Sequence, residues 1–179
     1  MARVIEVELG VFGSQADFVE DDTPFLALVG GRGSGKTKGG AIKLLGLVGA
    51  QKANAIVTAP SFPMLRDSTM LTCLETWPRT MITDYSKTEM TLCLTNGSVV
   101  RFRSTDDPDH LRGPNNGVIW MDEGAQSTLE AWQILLGTLR EEPGKAFITT
   151  TPRGYDWIYQ EFVAKARPNY KIIRGRSQD

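Results

Sequence analysis

The chain has 179 residues, a formal net charge of −1 and a pI near 5.9, with 41% hydrophobic and 23% charged residues. This length suits one compact domain with a substantial core, and the composition is that of an ordinary globular protein. With no basic excess, any DNA contact has to be local, or shared with other subunits or a further domain. Two cysteines, Cys73 and Cys93, and a single histidine, His110, exclude a disulfide framework and the usual zinc patterns. Both cysteines lie in apolar stretches and are expected to be buried small hydrophobes. Charges interrupt the opening residues, so no secretory leader is expected. Nor does any apolar run approach the ~20 residues of a membrane span, and an intracellular, soluble chain is expected.

Apolar runs alternate with helical patterns along the chain. Residues 24–30 (PFLALVG) read as a strand buried on both faces, and residues 36–49 carry apolar side chains at helical spacing. A second buried strand is expected at 54–60 and a helix from Phe62 to Trp77. Two strands around Thr95-Asn96-Gly97-Ser98 follow as a hairpin, since Asn-Gly is a strong turn signal. VIWMDE (118–123) reads as a third buried strand. A helix opening at Ser127 has Glu130 three residues on, the pattern of a capping box. AFITTTP (146–152) is the fourth buried strand, Tyr155 to Ala166 a helix, and YKIIRG (170–175) the last strand. Strands separated by helices give an α/β domain with a largely parallel sheet, flanking helices and a β-hairpin insertion. The chain stops at Asp179 just past a strand, which reads as a domain cut from a longer protein.

Between the first strand and its helix lies Gly30-Gly31-Arg32-Gly33-Ser34-Gly35-Lys36-Thr37, which satisfies G-x-x-x-x-G-K-[ST]. Its glycines let backbone N–H groups turn inward around an anion, and a helix N-terminus faces the same point. The strand before and the helix after meet the contextual test for a phosphate-binding loop. Lys36 then reaches the β- and γ-phosphates of a bound nucleotide, and the Thr37 hydroxyl ligates Mg2+. Arg32 reads either as a solvated loop arginine or as a group that senses the γ-phosphate or stabilises transition-state charge.

The strand 118–123 ends in two acids. Asp122 is placed to hold the Mg2+ shell, and Glu123 to polarise the attacking water from the other side of the strand end. Transfer to water needs such a base, whereas a small-molecule kinase does not, so consecutive Asp-Glu favours hydrolysis. The bland reading is a pair of acids capping the next helix. Four functional classes compete: a motor ATPase acting in a ring, a two-domain helicase or translocase, a small-molecule kinase and a GTPase switch. Asp122-Glu123-Gly124-Ala125 lacks the fourth-position His, Asp or Gln usual in the helicases, and no N/T-K-x-D guanine reader occurs.

With loop and acid pair in place, three further stretches resemble the large terminase family, the ATPases of viral DNA-packaging motors. Leu111-Arg112-Gly113 is similar to the family's arginine-glycine element ahead of the acids. Thr149-Thr150-Thr151-Pro152 looks like its coupling motif, and Gln15 resembles the glutamine that reads adenine. The resemblance runs from about residue 15 to residue 179. It implies a P-loop NTPase of the additional-strand, catalytic-glutamate type, with ATP and Mg2+ as ligands. It also implies a homo-oligomeric ring on a portal protein, double-stranded DNA as the moving partner, and a small terminase subunit. Such a protein acts in the host cell cytoplasm, transiently at the procapsid portal. On this resemblance residues 1–179 form the ATPase domain, the family's C-terminal nuclease is absent from the chain, and Arg112 is an arginine finger acting in trans. Coupling falls to Thr149, Thr150 and Thr151. Arg101 and Arg103 share one face of the hairpin, either touching DNA or a neighbouring subunit or simply solvated. His110 reads as an ordinary loop residue, and Asp106, Asp107 and Asp109 as an exposed acidic loop.

Overall fold

The computed structural model describes residues 9–11 and 13–175. Its centre is one eight-stranded sheet: β1 (Phe25–Gly30), β2 (Asn54–Ala59), β3 (Ile82–Ser86), β4 (Thr91–Leu94), β5 (Val99–Ser104), β6 (Val118–Asp122), β7 (Lys145–Thr150) and β8 (Tyr170–Gly175). The spatial order is β3-β4-β5-β2-β6-β7-β1-β8. From β5 to β8 all neighbours are parallel, and β3 and β4 join antiparallel at one edge. β7 lies between β1, which leads into the phosphate loop, and β6, which carries the acids. That is the additional strand expected of the fold class. β3 was not among the predicted strands; with side chains exposed or only half-buried, it shows little of the apolar pattern that reveals the inner strands.

Helices cover both faces. On one lie α1 (Ser14–Glu20), α2 (Lys36–Ala50) and α3, a composite of Phe62–Met64, a π-helical turn Leu65–Met70 and a last α segment Leu71–Thr76. Leu28, Leu44, Val57, Phe102 and Trp120 form the core beneath them. On the other face α4 (Leu129–Thr138) and the short α5 (Trp157–Tyr159, continued as a π turn Gln160–Ala164) close over Ile56, Ile119, Trp132 and Ile148. Strands buried on both sides explain why their sequences are continuously apolar rather than alternating.

Two local expectations need correction. The cap of α4 is Thr128, whose hydroxyl accepts from the Ala131 N–H at 3.1 Å. Ser127 is instead buried, its hydroxyl 2.6 Å from that of Thr105 and its carbonyl accepting from the Trp157 indole, so the helix starts one residue later. Cys73 is buried as expected, and burial raises its thiol pKa well above the ordinary value, whereas Cys93 on β4, one strand in from the sheet edge, is only half-buried.

Candidate active site at the strand tips

Because parallel sheets place ligands beyond the carboxyl ends of their strands, the tips of β1, β6 and β7 define the site. Gly30 closes β1, and the loop turns through Gly33 and Gly35 at φ 79° and 70°, left-handed values that favour glycine. Side chains would also collide there: a Cβ on Gly35 would lie 2.1 Å from the Gln15 amide nitrogen. The Ser34 hydroxyl is buried with no hydrogen-bond partner among the described residues. Lys36, 6% exposed, gives one hydrogen bond to the Gly31 carbonyl (3.0 Å) and stands 3.9 Å from the Glu123 carboxylate. A buried ammonium and an orphaned hydroxyl at a helix N-terminus fit a nucleotide's phosphate chain.

Across from the loop, Asp122 is 2% exposed and saturated with donors. One oxygen accepts from Thr149 (2.6 Å) and the Glu123 N–H (3.1 Å), the other from Thr69 (2.8 Å). Thr37 approaches both at 3.2–3.3 Å. Burial pushes the Asp122 carboxyl above the usual carboxylate range, opposed by the hydroxyls of Thr149, Thr69 and Thr37, while neighbouring Glu123 adds to the rise. Among the described residues no group of three or more His, Cys, Asp or Glu side chains could hold a metal ion by itself. One carboxylate beside one hydroxyl, with remaining positions for water and phosphate oxygens, is the donor set that suits Mg2+.

Glu123 has φ 49°, a left-handed conformation uncommon for a residue with a Cβ. That turn, more than strand alternation, separates the two acids. Asp122 faces Thr37 and Thr69, whereas Glu123 faces Lys36 and accepts from the Thr151 N–H at 3.3 Å, with the Thr151 hydroxyl at 3.5 Å. The threonine run therefore touches both acids: Thr149 holds Asp122, Thr150 accepts from the Ala125 N–H (3.0 Å) and Thr151 meets Glu123. Behind them the Trp120 indole donates to the Thr149 hydroxyl at 2.8 Å, completing a buried chain to Asp122.

The remaining candidates are arranged less tightly. Gln15, on α1, donates from its amide to the Ser34 carbonyl at 2.8 Å, bracing the phosphate loop from outside. Arg32 is exposed on the loop. Arg112 is not brought to the loop of its own chain; it pairs with Asp109 at 3.4 Å and borders an open depression against α4 with Gln133 and Arg140. On the flank of Gly31, Arg153 and Arg174 line a pocket with Tyr159, two cations the sequence patterns did not single out. Thr69 also escaped notice, although a hydroxyl among Leu65, Met70 and Cys73 on the buried side of a helix was a signal of sorts. Arg101 and Arg103 do not form a freely solvated face. Both are half-buried, and Arg103 donates to the carbonyls of Glu89 (3.1 Å) and Phe102 (2.7 Å). His110 is exposed, but on a 3-10 turn (Pro108–Leu111) rather than in an irregular loop, with its ring 3.5 Å from the Asp107 carboxylate.

Comparison with known proteins bears on the fold and the family. The profile of the family described as phage terminase large subunit matches residues 23–178. The PBSX phage terminase large subunit of Bacillus subtilis (strain 168) is 31% identical over 153 residues, 82% of this chain and 35% of the relative. This chain therefore spans about a third of that relative's length. Among solved structures, the large terminase of thermophilic bacteriophage D6E in complex with ADP superposes with a TM-score of 0.81 at 15% identity, covering 93% of this chain and 45% of that one. The Thermus phage P74-26 large terminase ATPase domain does so at 0.79 and 19% identity, covering 92% and 80%. At such identities the superpositions establish a shared fold, and the profile match over most of the chain establishes kinship: the protein belongs to the phage terminase large subunit family.

Proposed function

We propose that this domain hydrolyses ATP with Mg2+ and that hydrolysis drives double-stranded DNA into a viral procapsid. The carrying observation is the placement of Glu123, turned by its left-handed backbone to within 3.9 Å of Lys36 while its neighbour Asp122 meets Thr37. Lys36 and the backbone of Gly31–Gly35 hold the phosphates. Thr37 and Asp122 hold the ion, which when bound neutralises charge developing on the phosphate oxygens. Glu123 orients the attacking water and draws its proton toward the carboxylate. Thr149 touches Asp122, Thr151 touches Glu123 and Thr150 between them holds the Ala125 N–H, an arrangement suited to passing γ-phosphate loss along β7. Gln15 serves the nucleotide mainly by fixing the loop at Ser34, and its free carbonyl oxygen remains for the base. Arg112, outside its own site, acts on a neighbour's nucleotide in a homo-oligomeric ring. Family kinship supports a portal protein and a small terminase subunit as further partners, with action in the host cytoplasm. No helix among the described residues is long and apolar enough to cross a membrane.

Steady-state phosphate release measured with Mg2+ and double-stranded DNA tests this reading. Glu123→Gln is expected to lower turnover by ~10²–10⁴-fold while nucleotide binding is retained. Hydrolysis unaffected by the substitution would remove Glu123 from catalysis and the reading with it.

A further inference from the structure

Asp122 is gripped by two short hydrogen bonds, one on each oxygen and from opposite sides of the site: Thr149 from the sheet at 2.6 Å and Thr69 from α3 at 2.8 Å. The Thr37 contacts, at 3.2 and 3.3 Å, are longer and shared between both oxygens. Thr69 is 1% exposed, so its hydroxyl has no access to bulk water as an alternative partner. An ionised carboxylate only accepts, which makes the threonine the donor. A residue needed here only for volume would be valine, which has the same shape and no polar group to bury. Thr69 also sits in the π-helical turn Leu65–Met70, a rare local geometry that is frequent at functional sites.

We propose that Thr69 is a positioning residue for the Mg2+–nucleotide site. By holding one oxygen of Asp122 while Thr149 holds the other, it keeps the carboxylate plane turned toward Thr37. The proposal rests on the reading of Thr37 and Asp122 as the Mg2+-holding pair. It adds a contact from α3, an element outside the phosphate loop, the acid strand and the threonine run. Partners of this outer kind typically contribute ~10–100-fold to metal affinity.

The test is a Mg2+ titration of the binding of a fluorescent, non-hydrolysable ATP analogue to the wild type, Thr69→Val, Thr69→Ser and Asp122→Asn, alongside melting of each protein without nucleotide. Thr69→Val is expected to need about tenfold more Mg2+ for half-saturation, to recover full binding at excess Mg2+, and to melt somewhat below wild type, because the buried carboxylate loses a donor. Thr69→Ser restores the wild-type titration. A Thr69→Val titration matching wild type overturns the inference alone, because Asp122→Asn still reports whether the pair binds Mg2+. Binding that excess Mg2+ does not recover would assign Thr69 to packing and also overturn it. Wild-type binding indifferent to Mg2+ would remove the Asp122 reading first, and this inference with it.

Discussion

The strand tips and the arginine-bearing loops differ in how tightly the fold holds them. At the tips of β6 and β7 every group is tied: Asp122 by three threonine hydroxyls, Glu123 by Lys36 and Thr151, Thr149 by Trp120. On the loops, Arg32 is exposed, and the Arg112 side chain is 68% exposed with Asp109 as its ion-pair partner. An exposed ion pair of this kind is worth little, so leaving Asp109 for another anion would cost Arg112 little. Preorganised groups lower a barrier without reorganising during the reaction. On the proposed roles, the groups for phosphate, metal and water are preorganised inside one chain, and the cation for transition-state charge is not.

The sharpest way to break this contrast is to remove the arginines singly. In the assembled motor, Arg112→Ala is expected to lower hydrolysis by ~10³–10⁵-fold with nucleotide affinity unchanged. Mixing it with Glu123→Gln subunits should recover activity, because one variant supplies the finger and the other the water-orienting acid. Arg32→Ala, acting within its own site, gains nothing from mixing. If Arg32→Ala carries the large loss and Arg112→Ala is fully active, the division between a complete own-chain site and a cation from outside disappears. Arg153 and Arg174, in the pocket beside Gly31, would then be next to substitute.

The tied region was the legible one. Glycine spacing, the lysine and the acid pair stand out because each needs a fixed residue type at a fixed offset, and the buried strands stand out because they are apolar throughout. What failed to show were contacts made across the fold. Thr69 reaches Asp122 over 53 positions, and no local pattern connects a threonine in LRDST to an acid in VIWMDE. β3 pairs at an exposed edge without the apolar run of a buried strand. The start of α4 was misplaced by one residue because Ser127 is the better cap in isolation and has Glu130 at capping-box spacing. The tertiary partners of Ser127, Thr105 and Trp157, decide between them. Arg101 and Arg103 alternate as a solvated face would, yet packing half-buries both.

A smaller effect probes how rigid the tied side is. Gly40 on α2 lies directly under the fully buried Trp120, and a Cβ there would come within 2.4 Å of the indole. Gly46, on the same helix, has nothing within 4 Å of such a Cβ. Both gain helix propensity on becoming alanine, about 1 kcal/mol, but overpacking at Gly40 costs about 1–3 kcal/mol and displaces the ring that holds Thr149. Thermal melting is thus expected to rise for Gly46→Ala and fall for Gly40→Ala, with hydrolysis reduced only in the latter. Equal melting of the two variants would mean that Trp120 yields easily and that the chain to Asp122 is not rigid.

The smallest effect lies at the joint between the two regimes, where α1 carries Gln15 to the phosphate loop. Lys43 of α2 is 6% exposed and donates to the carbonyls of Phe18, Val19 and Asp21 at the end of α1, at 2.7–3.3 Å. Burial lowers its pKa from 10.5 to about 8, against the opposing pull of the Asp21 and Asp22 carboxylates. Between those two values the unfolded chain binds the proton and the native protein does not, so native stability rises with pH across the window. Below about pH 8 both states are charged, and the burial cost is present in full. Lys43→Met removes both the cost and its titration. The difference in melting temperature between wild type and Lys43→Met should therefore move in favour of wild type from pH 8 to pH 10. A pH-independent difference would mean that the three carbonyls keep the ammonium charged and that α1 is held by a cation throughout. The contact that sets Gln15 would then belong with the tied groups of the strand tips.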